Sequence, residues 1–266
     1  MIRICVAGST GWVGRALVAA LAGSEDLRLV AAVSRSHAGQ DAGEAAEREA
    51  NGVIISASLR EAMETPFDVL IDYTKPHVVK AHTLSALEHG RHVVVGTSGL
   101  GAADYDEIDA AARAAKKGVV AAGNFSITAT LLKRFALEAA RYVADVEVID
   151  YASAGKPDVP SGTGRELGEL LAKARLPATS RPVSELSGLP ETRGASVGAP
   201  RAVQVHSVRM PSFVLSCEAI FGASDERLTI RHDAGSSAAP YVAGTLLAAR
   251  EVIKRVGLTR GMDSLL

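Results

Sequence analysis

The stretch Ile2-Arg-Ile-Cys-Val-Ala-Gly8-Ser-Thr-Gly11-Trp-Val-Gly14-Arg-Ala-Leu-Val-Ala-Ala-Leu21 decides how the rest of the chain is read. Its first six residues are an apolar, β-branched run suited to a buried parallel strand. Helix formers follow Gly14, and the glycines between strand and helix are spaced G-x-x-G-x-x-G. Without Cβ atoms such a turn can tighten, bring backbone N–H groups up to a pyrophosphate, and let helix pack closely on strand. A glycine triplet alone says little. Set between a strand and a helix, it predicts a dinucleotide site lined by Gly8, Thr10, Gly11, Trp12 and Val13.

The next strand, Leu27 to Val33, ends in Ser34-Arg35-Ser36. A site selecting NAD places Asp or Glu about 20 residues beyond the glycines, on the ribose 2′-hydroxyl. Here a guanidinium flanked by two hydroxyls stands in that place. Ser34 does not repel a 2′-phosphate, Arg35 can hold one through two parallel N–H bonds, and Ser36 can add a donor. The expected cofactor is NADPH, with NADH possible.

Strand-like and helix-like runs then alternate. Asp68 to Asp72 reads as a strand, Val78 to Glu88 as a helix, His92 to Gly96 as a strand, Tyr105 to Lys117 as a helix, and Val119 to Ala122 as a strand. This alternation predicts an α/β, Rossmann-type parallel sheet whose ligands bind at the carboxyl ends of its strands. Those ends carry Tyr73-Thr74, Gly96-Thr97-Ser98-Gly99 and Asn124-Phe125-Ser126, expected to meet at one cleft.

From about residue 127 the pattern changes, predicting a second α+β domain with a mixed sheet over 127–239, after a dinucleotide-binding domain at 1–126. A helix over Thr128 to Tyr142 leads to the strand Asp145 to Tyr151, and then to Lys156-Pro-Asp-Val-Pro-Ser161-Gly162-Thr163-Gly164 and a helix over 162–175. A lysine, two prolines and a Ser-Gly-Thr turn at a helix start make a rigid seat for an anion, because first-turn N–H groups and the helix dipole favour negative charge. Residues 176–200, rich in proline and glycine, read as a loop able to act as a lid. Strands over Ala202–Arg209, Ser212–Phe221 and Glu226–His232 follow so closely that an antiparallel sheet is expected. A last helix, from Pro240 through about Val256, is expected to pack back on the first domain, giving a segment 240–266.

With 266 residues there is room for one large or two modest cores. No apolar run approaches the length of a membrane span, and the first one feeds a glycine turn rather than a cleavage site, so no membrane and a cytoplasmic setting are expected. A net charge of −1 gives no electrostatic case for nucleic acid. Cys5 and Cys217 lie in strand-like runs and read as small buried hydrophobes. The seven histidines form no metal-ligand spacing, so no metal is expected.

In order and over nearly the whole length, these motifs resemble the 4-hydroxy-tetrahydrodipicolinate reductase family. The matching segments are the glycine turn at 8–14, Asp72-Tyr73-Thr74, Gly96-Thr97-Ser98-Gly99, Asn124-Phe125-Ser126, the Lys156 loop, His206-Ser-Val-Arg-Met-Pro211 and Leu228-Thr-Ile-Arg-His-Asp233. The resemblance implies hydride transfer from the nicotinamide C4 to an activated double bond, and a homotetramer built through the second sheet. Gly96, Thr97, Gly99, Asn124 and Phe125 would border the nicotinamide. Lys156, Ser161, Gly162 and Thr163 would hold a small carboxylate-bearing substrate.

The chain also departs from that family. Where the family carries two adjacent histidines ahead of the lysine, Ala152 and Ser153 stand here, and Trp12 replaces an arginine of the glycine turn. The arginine expected after the His-Asp strand is absent from Asp233-Ala-Gly-Ser-Ser-Ala-Ala239. With the histidines gone, Lys156 is the obvious proton donor, and Tyr151 could contribute a phenol. Three readings stay open: a reductase of this family acting on a different C=N or conjugated C=C bond, which is the expectation; the lysine-route reductase itself; and a non-catalytic NADPH-binding scaffold or sensor.

Overall fold

Two compact units divide the chain, residues 1–127 with 238–266, and residues 128–237. The structure, a computed structural model, describes residues 1–174 and 181–266. In the first unit strands and helices alternate: β1 (Ile2–Ala7), α1 (Trp12–Ala22), β2 (Leu27–Val33), the single turn α2 (Ala42–Ala45), β3 (Ile55–Ser56), α3 (Leu59–Ala62), β4 (Val69–Asp72), α4 (Pro76–Glu88), β5 (His92–Val95), α5 (Ala102–Ala114) and β6 (Gly118–Ala121). After the second unit the chain adds α8 (Ala239–Val252) and β12 (Gly257–Arg260). The sheet runs β12-β6-β5-β4-β1-β2-β3, with every neighbouring pair parallel. Strand β1 sits between β4 and β2, so the winding reverses beside it, and the crevice outside such a reversal is where open α/β sheets bind ligands.

Successive strand residues point to opposite faces, and the sheet is covered on both. Ile4 and Val6 join Leu17 and Leu21 of α1 and Ala248 and Val252 of α8 in one core. Cys5 and Ala7 join Leu87 of α4 and Ile108 of α5 in the other. Burial of each leucine or isoleucine side chain stabilises the unit by roughly 1.5–3 kcal/mol.

The last segment departs from expectation. Helix α8 stops at Val252 rather than near Val256, and β12 pairs with β6, Gly257 opposite Gly118. A Cβ at Gly118 would stand 2.3 Å from the Val252 carbonyl oxygen, and Gly257 has φ +86°, so this tight return rests on two glycines.

The second unit is built on a mixed sheet ordered β11-β10-β7-β9-β8, from β7 (Asp145–Ala152), β8 (Ala195–Val197), β9 (Val203–Arg209), β10 (Leu215–Ala223) and β11 (Glu226–Ala234). Helices α6 (Ile127–Ala139) and α7 (Gly162–Ala174) supply Leu132, Ala136, Leu167 and Leu171 to its core, against Val146, Val148, Val205 and Phe221. Of the three strands expected to form an antiparallel sheet, β10 and β11 do pair antiparallel, but β9 does not adjoin β10. Strand β7 lies between β9 and β10 and is parallel to β9, because the connection through α7 is long enough for a crossover. Of the expected lid, residues 176–180 lie outside the described residues. Residues 181–200 hold two short 3-10 turns and the edge strand β8, hydrogen-bonded to β9, so this part is stitched to the sheet.

Candidate active site

The glycine turn has the shape that a bound pyrophosphate needs. Gly8 has φ +80°, and a Cβ there would lie 2.4 Å from the Tyr73 carbonyl oxygen; one at Gly14 would lie 2.0 Å from the Gly8 carbonyl oxygen. Only bare backbone fits this cradle. Helix α1 begins directly after it with Gly11 as N-cap and no acid in its first turn, leaving the positive helix end unneutralised. Trp12 is 59% exposed at that end and meets Tyr241 edge-on, ring centroids 5.6 Å apart.

Beyond β2 a file of hydroxyls leaves the turn. Thr10 Oγ1 and Ser34 Oγ are 2.7 Å apart, Ser34 Oγ and Ser36 Oγ 3.4 Å, and Ser36 Oγ lies 2.8 Å from His37 Nδ1. Arg35 is exposed in the same 3-10 turn, and among the described residues no ion pair or hydrogen bond engages its side chain. A guanidinium left unpaired beside three hydroxyls fits a phosphate ester.

The carboxyl ends of β4, β5 and β6 lie side by side, which brings Thr74, Gly96–Gly99 and Asn124–Ser126 onto one edge of the sheet. Two expected cofactor residues take different parts from those their side chains suggest. The Tyr73 phenol is hydrogen-bonded to Thr245 Oγ1 at 2.7 Å, and its ring lies where a Cβ of Gly96 would be, so it supports the β5 end from below. Burial pushes that phenol above its ordinary range. Phe125 is 1% exposed and belongs to the core with Leu246 and Val252, so only its backbone remains to border a ligand. Asn124 Oδ1 accepts from the Ser126 N–H at 2.8 Å, which fixes the turn after β6. Thr97 Oγ1 donates to Asp72, and Gly99 has φ +105° against Pro76.

In the second unit the candidate anion seat rests on a residue that sequence reasoning passed over. Asp150 is fully buried on β7. Its carboxylate accepts from the Ser161 N–H at 2.8 Å, from Ser161 Oγ in a very short contact, and from Arg209 Nη2 at 2.8 Å. Arg209 Nη2 also donates to the Asp158 carbonyl at 2.7 Å, clamping the Lys156 loop to the sheet. Ser161, expected to touch substrate, is therefore corrected: it is 1% exposed, and its hydroxyl is given to Asp150 while accepting from the Gly164 N–H. It caps α7 instead. Gly162 and Thr163 form the first turn of that helix and remain the candidate anion donors. Lys156 Nζ lies 2.8 Å from Asp158 Oδ1, both groups partly exposed, and holds that carboxyl below the usual carboxylate range. The signal for Asp150 was present in the chain: an aspartate at an inward position of an alternating strand must be paired.

Tyr151 is also corrected. The burial of β7 alternates, so Tyr151 projects from the face opposite Asp150 and the Ser161 turn. Its phenol donates to Glu218 Oε1 at 2.8 Å beneath Arg231, whose guanidinium is 4.9 Å from the ring centroid. Desolvation and the Glu218 carboxylate push the phenol up. Tyr151 is thus held neutral and away from the seat. Among the described residues no group of three or more His, Cys, Asp or Glu is placed to hold a metal, and no helix is long and apolar enough to cross a membrane.

A parallel sheet with a bare-backbone turn after its first strand, in a chain whose second unit offers a candidate anion seat, suits a nicotinamide-dependent oxidoreductase. The model of the dihydrodipicolinate reductase N-terminus matches residues 2–125, and that of the C-terminus matches residues 128–266. The chain belongs to the dihydrodipicolinate reductase family. The 4-hydroxy-tetrahydrodipicolinate reductase of Nocardia farcinica is 41% identical over 270 residues, covering 100% of this chain and 98% of that protein. That of Desulfitobacterium hafniense is 36% identical over 267 residues, with the same coverage. Among solved structures, a dipicolinate-bound dihydrodipicolinate reductase from Paenisporosarcina sp. TG-14 superposes with TM-score 0.87 at 29% identity, covering 100% of both chains. An amine dehydrogenase from Mycobacterium smegmatis, at TM-score 0.66 and 16% identity over 98% of this chain and 95% of its own, shares the fold.

Proposed function

We propose that this protein uses NADPH to reduce a C=N or conjugated C=C bond in a small cyclic carboxylate, and that 4-hydroxy-tetrahydrodipicolinate is that substrate. The observation that carries the reading is the preorganised seat at the start of α7. Asp150 and Arg209 lock Ser161 and the loop before it, so the first-turn N–H groups of Gly162 and Thr163 are held ready for an anion, and Lys156 would exchange its Asp158 partner for the substrate carboxylate. A bound nicotinamide supplies the hydride. Gly8, Gly11 and Gly14 would hold its pyrophosphate, and the edges at Thr74, Thr97 and Asn124 would border its ring. Lys156 would pair with the substrate carboxylate and protonate, or stabilise, the atom that gains electrons.

The relatives, named for the lysine-route substrate at 32–41% identity over essentially their whole length, weigh toward that substrate and against the expectation of a different one. One observation favours the second reading, a related substrate. Ala152 is fully buried and Ser153 carries only a hydroxyl, so the positions that resemble the histidine pair supply no imidazole. The test is NADPH oxidation with 4-hydroxy-tetrahydrodipicolinate generated in place, beside an authentic family enzyme. Rates within about tenfold support the first substrate; a loss of two to four powers of ten, the typical cost of a missing general acid, supports the second.

Cofactor preference belongs to the same proposal. Arg35→Ala is expected to weaken NADPH by about 1–3 kcal/mol and leave NADH unchanged, the cost of one charge-assisted contact to the 2′-phosphate. Fluorescence titration of both nucleotides measures it, and equal affinities in the parent protein would remove the preference. A homotetramer through the second sheet and a cytoplasmic setting complete the proposal. Support for the first comes from Ile149, Val208 and Ile220, which are only half-buried on the Tyr151 face of that sheet. Sedimentation equilibrium reads the assembly directly.

A further inference from the structure

Asp72 is the last residue of β4, fully buried at 0% exposure, and both its oxygens are engaged. Oδ1 accepts from the Thr74 N–H at 2.9 Å, from Thr74 Oγ1 at 2.6 Å and from Thr97 Oγ1 at 3.1 Å. Oδ2 lies 2.8 Å from His82 Nδ1, on the second turn of α4. One carboxylate therefore joins the end of β4, the end of β5 and the helix between them. We infer that Asp72 and His82 are positioning residues for the nicotinamide half of the cofactor, an inference that rests on the cofactor reading above.

The chemistry of the network leads there. A carboxylate taken out of water must have its lone pairs filled, and bonds to an ionised acceptor are short and strong. Because Asp72 only accepts, both threonine hydroxyls must donate to it, and neither proton is available to a ligand. What Thr74 and Thr97 offer a nicotinamide is a backbone edge whose place is fixed from beneath. His82 must carry its proton on Nδ1 to bond Asp72, which sets its tautomer and leaves Nε2 as the acceptor in the neutral ring. Helix α4 grips the same edge at a second point: its first residue, Pro76, lies so close to Gly99 that a Cβ on that glycine would be 2.7 Å from the Pro76 Cβ. The helix thus registers the β5 end through Pro76 and, by way of His82 and Asp72, through Thr97. By contrast, Thr10, Ser34 and Ser36 at the adenosine end are hydrogen-bonded among themselves, and among the described residues no hydrogen bond joins them or Arg35 to this network.

That separation supplies the test. Dissociation constants for NADPH and for 2′,5′-ADP, which lacks the nicotinamide half, are measured in the parent, in His82→Leu and in His82→Asn, whose amide can replace the Nδ1 donor. His82→Leu is expected to weaken NADPH about tenfold, the effect of one lost charge-assisted bond. The affinity for 2′,5′-ADP should stay within about twofold, and His82→Asn should recover most of the NADPH affinity. A His82→Leu protein that binds NADPH like the parent would overturn the inference, as would one that loses both ligands equally or is not recovered by asparagine, the mark of a merely structural contact. If the parent protein itself binds neither ligand, the cofactor reading falls first and this inference with it.

Discussion

Lys156→Met is expected to lower kcat/KM for the reduced substrate by about 100-fold or more, while NADPH affinity and thermal stability stay close to those of the parent. The asymmetry follows from where Lys156 sits. Its ammonium is paired with Asp158 at 2.8 Å, and both side chains are about a third exposed or more, so the pair contributes little to folding. Its removal leaves a carboxylate that water can solvate. In the proposed reaction the same ammonium would face an anionic substrate and a centre gaining negative charge, and positions 152 and 153 hold no imidazole to replace it. Tyr151 cannot, because it is on the other face of β7 and bonded to Glu218. Steady-state kinetics beside a nucleotide titration and a thermal melt separate the effects. Near-normal turnover in the variant would remove Lys156 from the mechanism.

Asp150→Ala is expected to have the largest effect on stability. Arg209, 15% exposed, would keep its charge in a buried setting with its carboxylate partner gone, and the Ser161 N–H and hydroxyl would lose their acceptor. Breaking one side of a buried pair costs about 3–5 kcal/mol. Denaturant unfolding of the parent and the variant measures the difference. A loss below about 1 kcal/mol would mean that water already reaches the pair.

The contrast between these two residues shows what the chain reveals by itself. The glycine turn is legible because its requirement is local: a strand, a helix and bare backbone between them within fourteen residues. The Lys156 loop is legible for the same reason, since prolines and a Ser-Gly-Thr turn determine a helix start wherever they occur. The supports beneath both sites are not local. Ser161 looks like a free hydroxyl until Asp150, eleven residues earlier, is seen below it, and Thr97 meets Asp72 from the next strand. Tyr151 is different, because strand parity alone places it opposite Asp150. The position of β7 between β9 and β10, and of β12 beside β6, depends on pairing across long stretches of chain that periodicity does not encode.

Transfer of a single label tests the central claim most directly. With NADPH deuterated at the nicotinamide C4 and 4-hydroxy-tetrahydrodipicolinate formed in place, mass spectrometry of the product should show one deuterium bound to carbon, at a turnover rate that falls in Lys156→Met. Cofactor consumed without deuterium in the product, or no consumption although NADPH binds, would contradict the account and leave the chain a nucleotide-binding member of its family without this reaction.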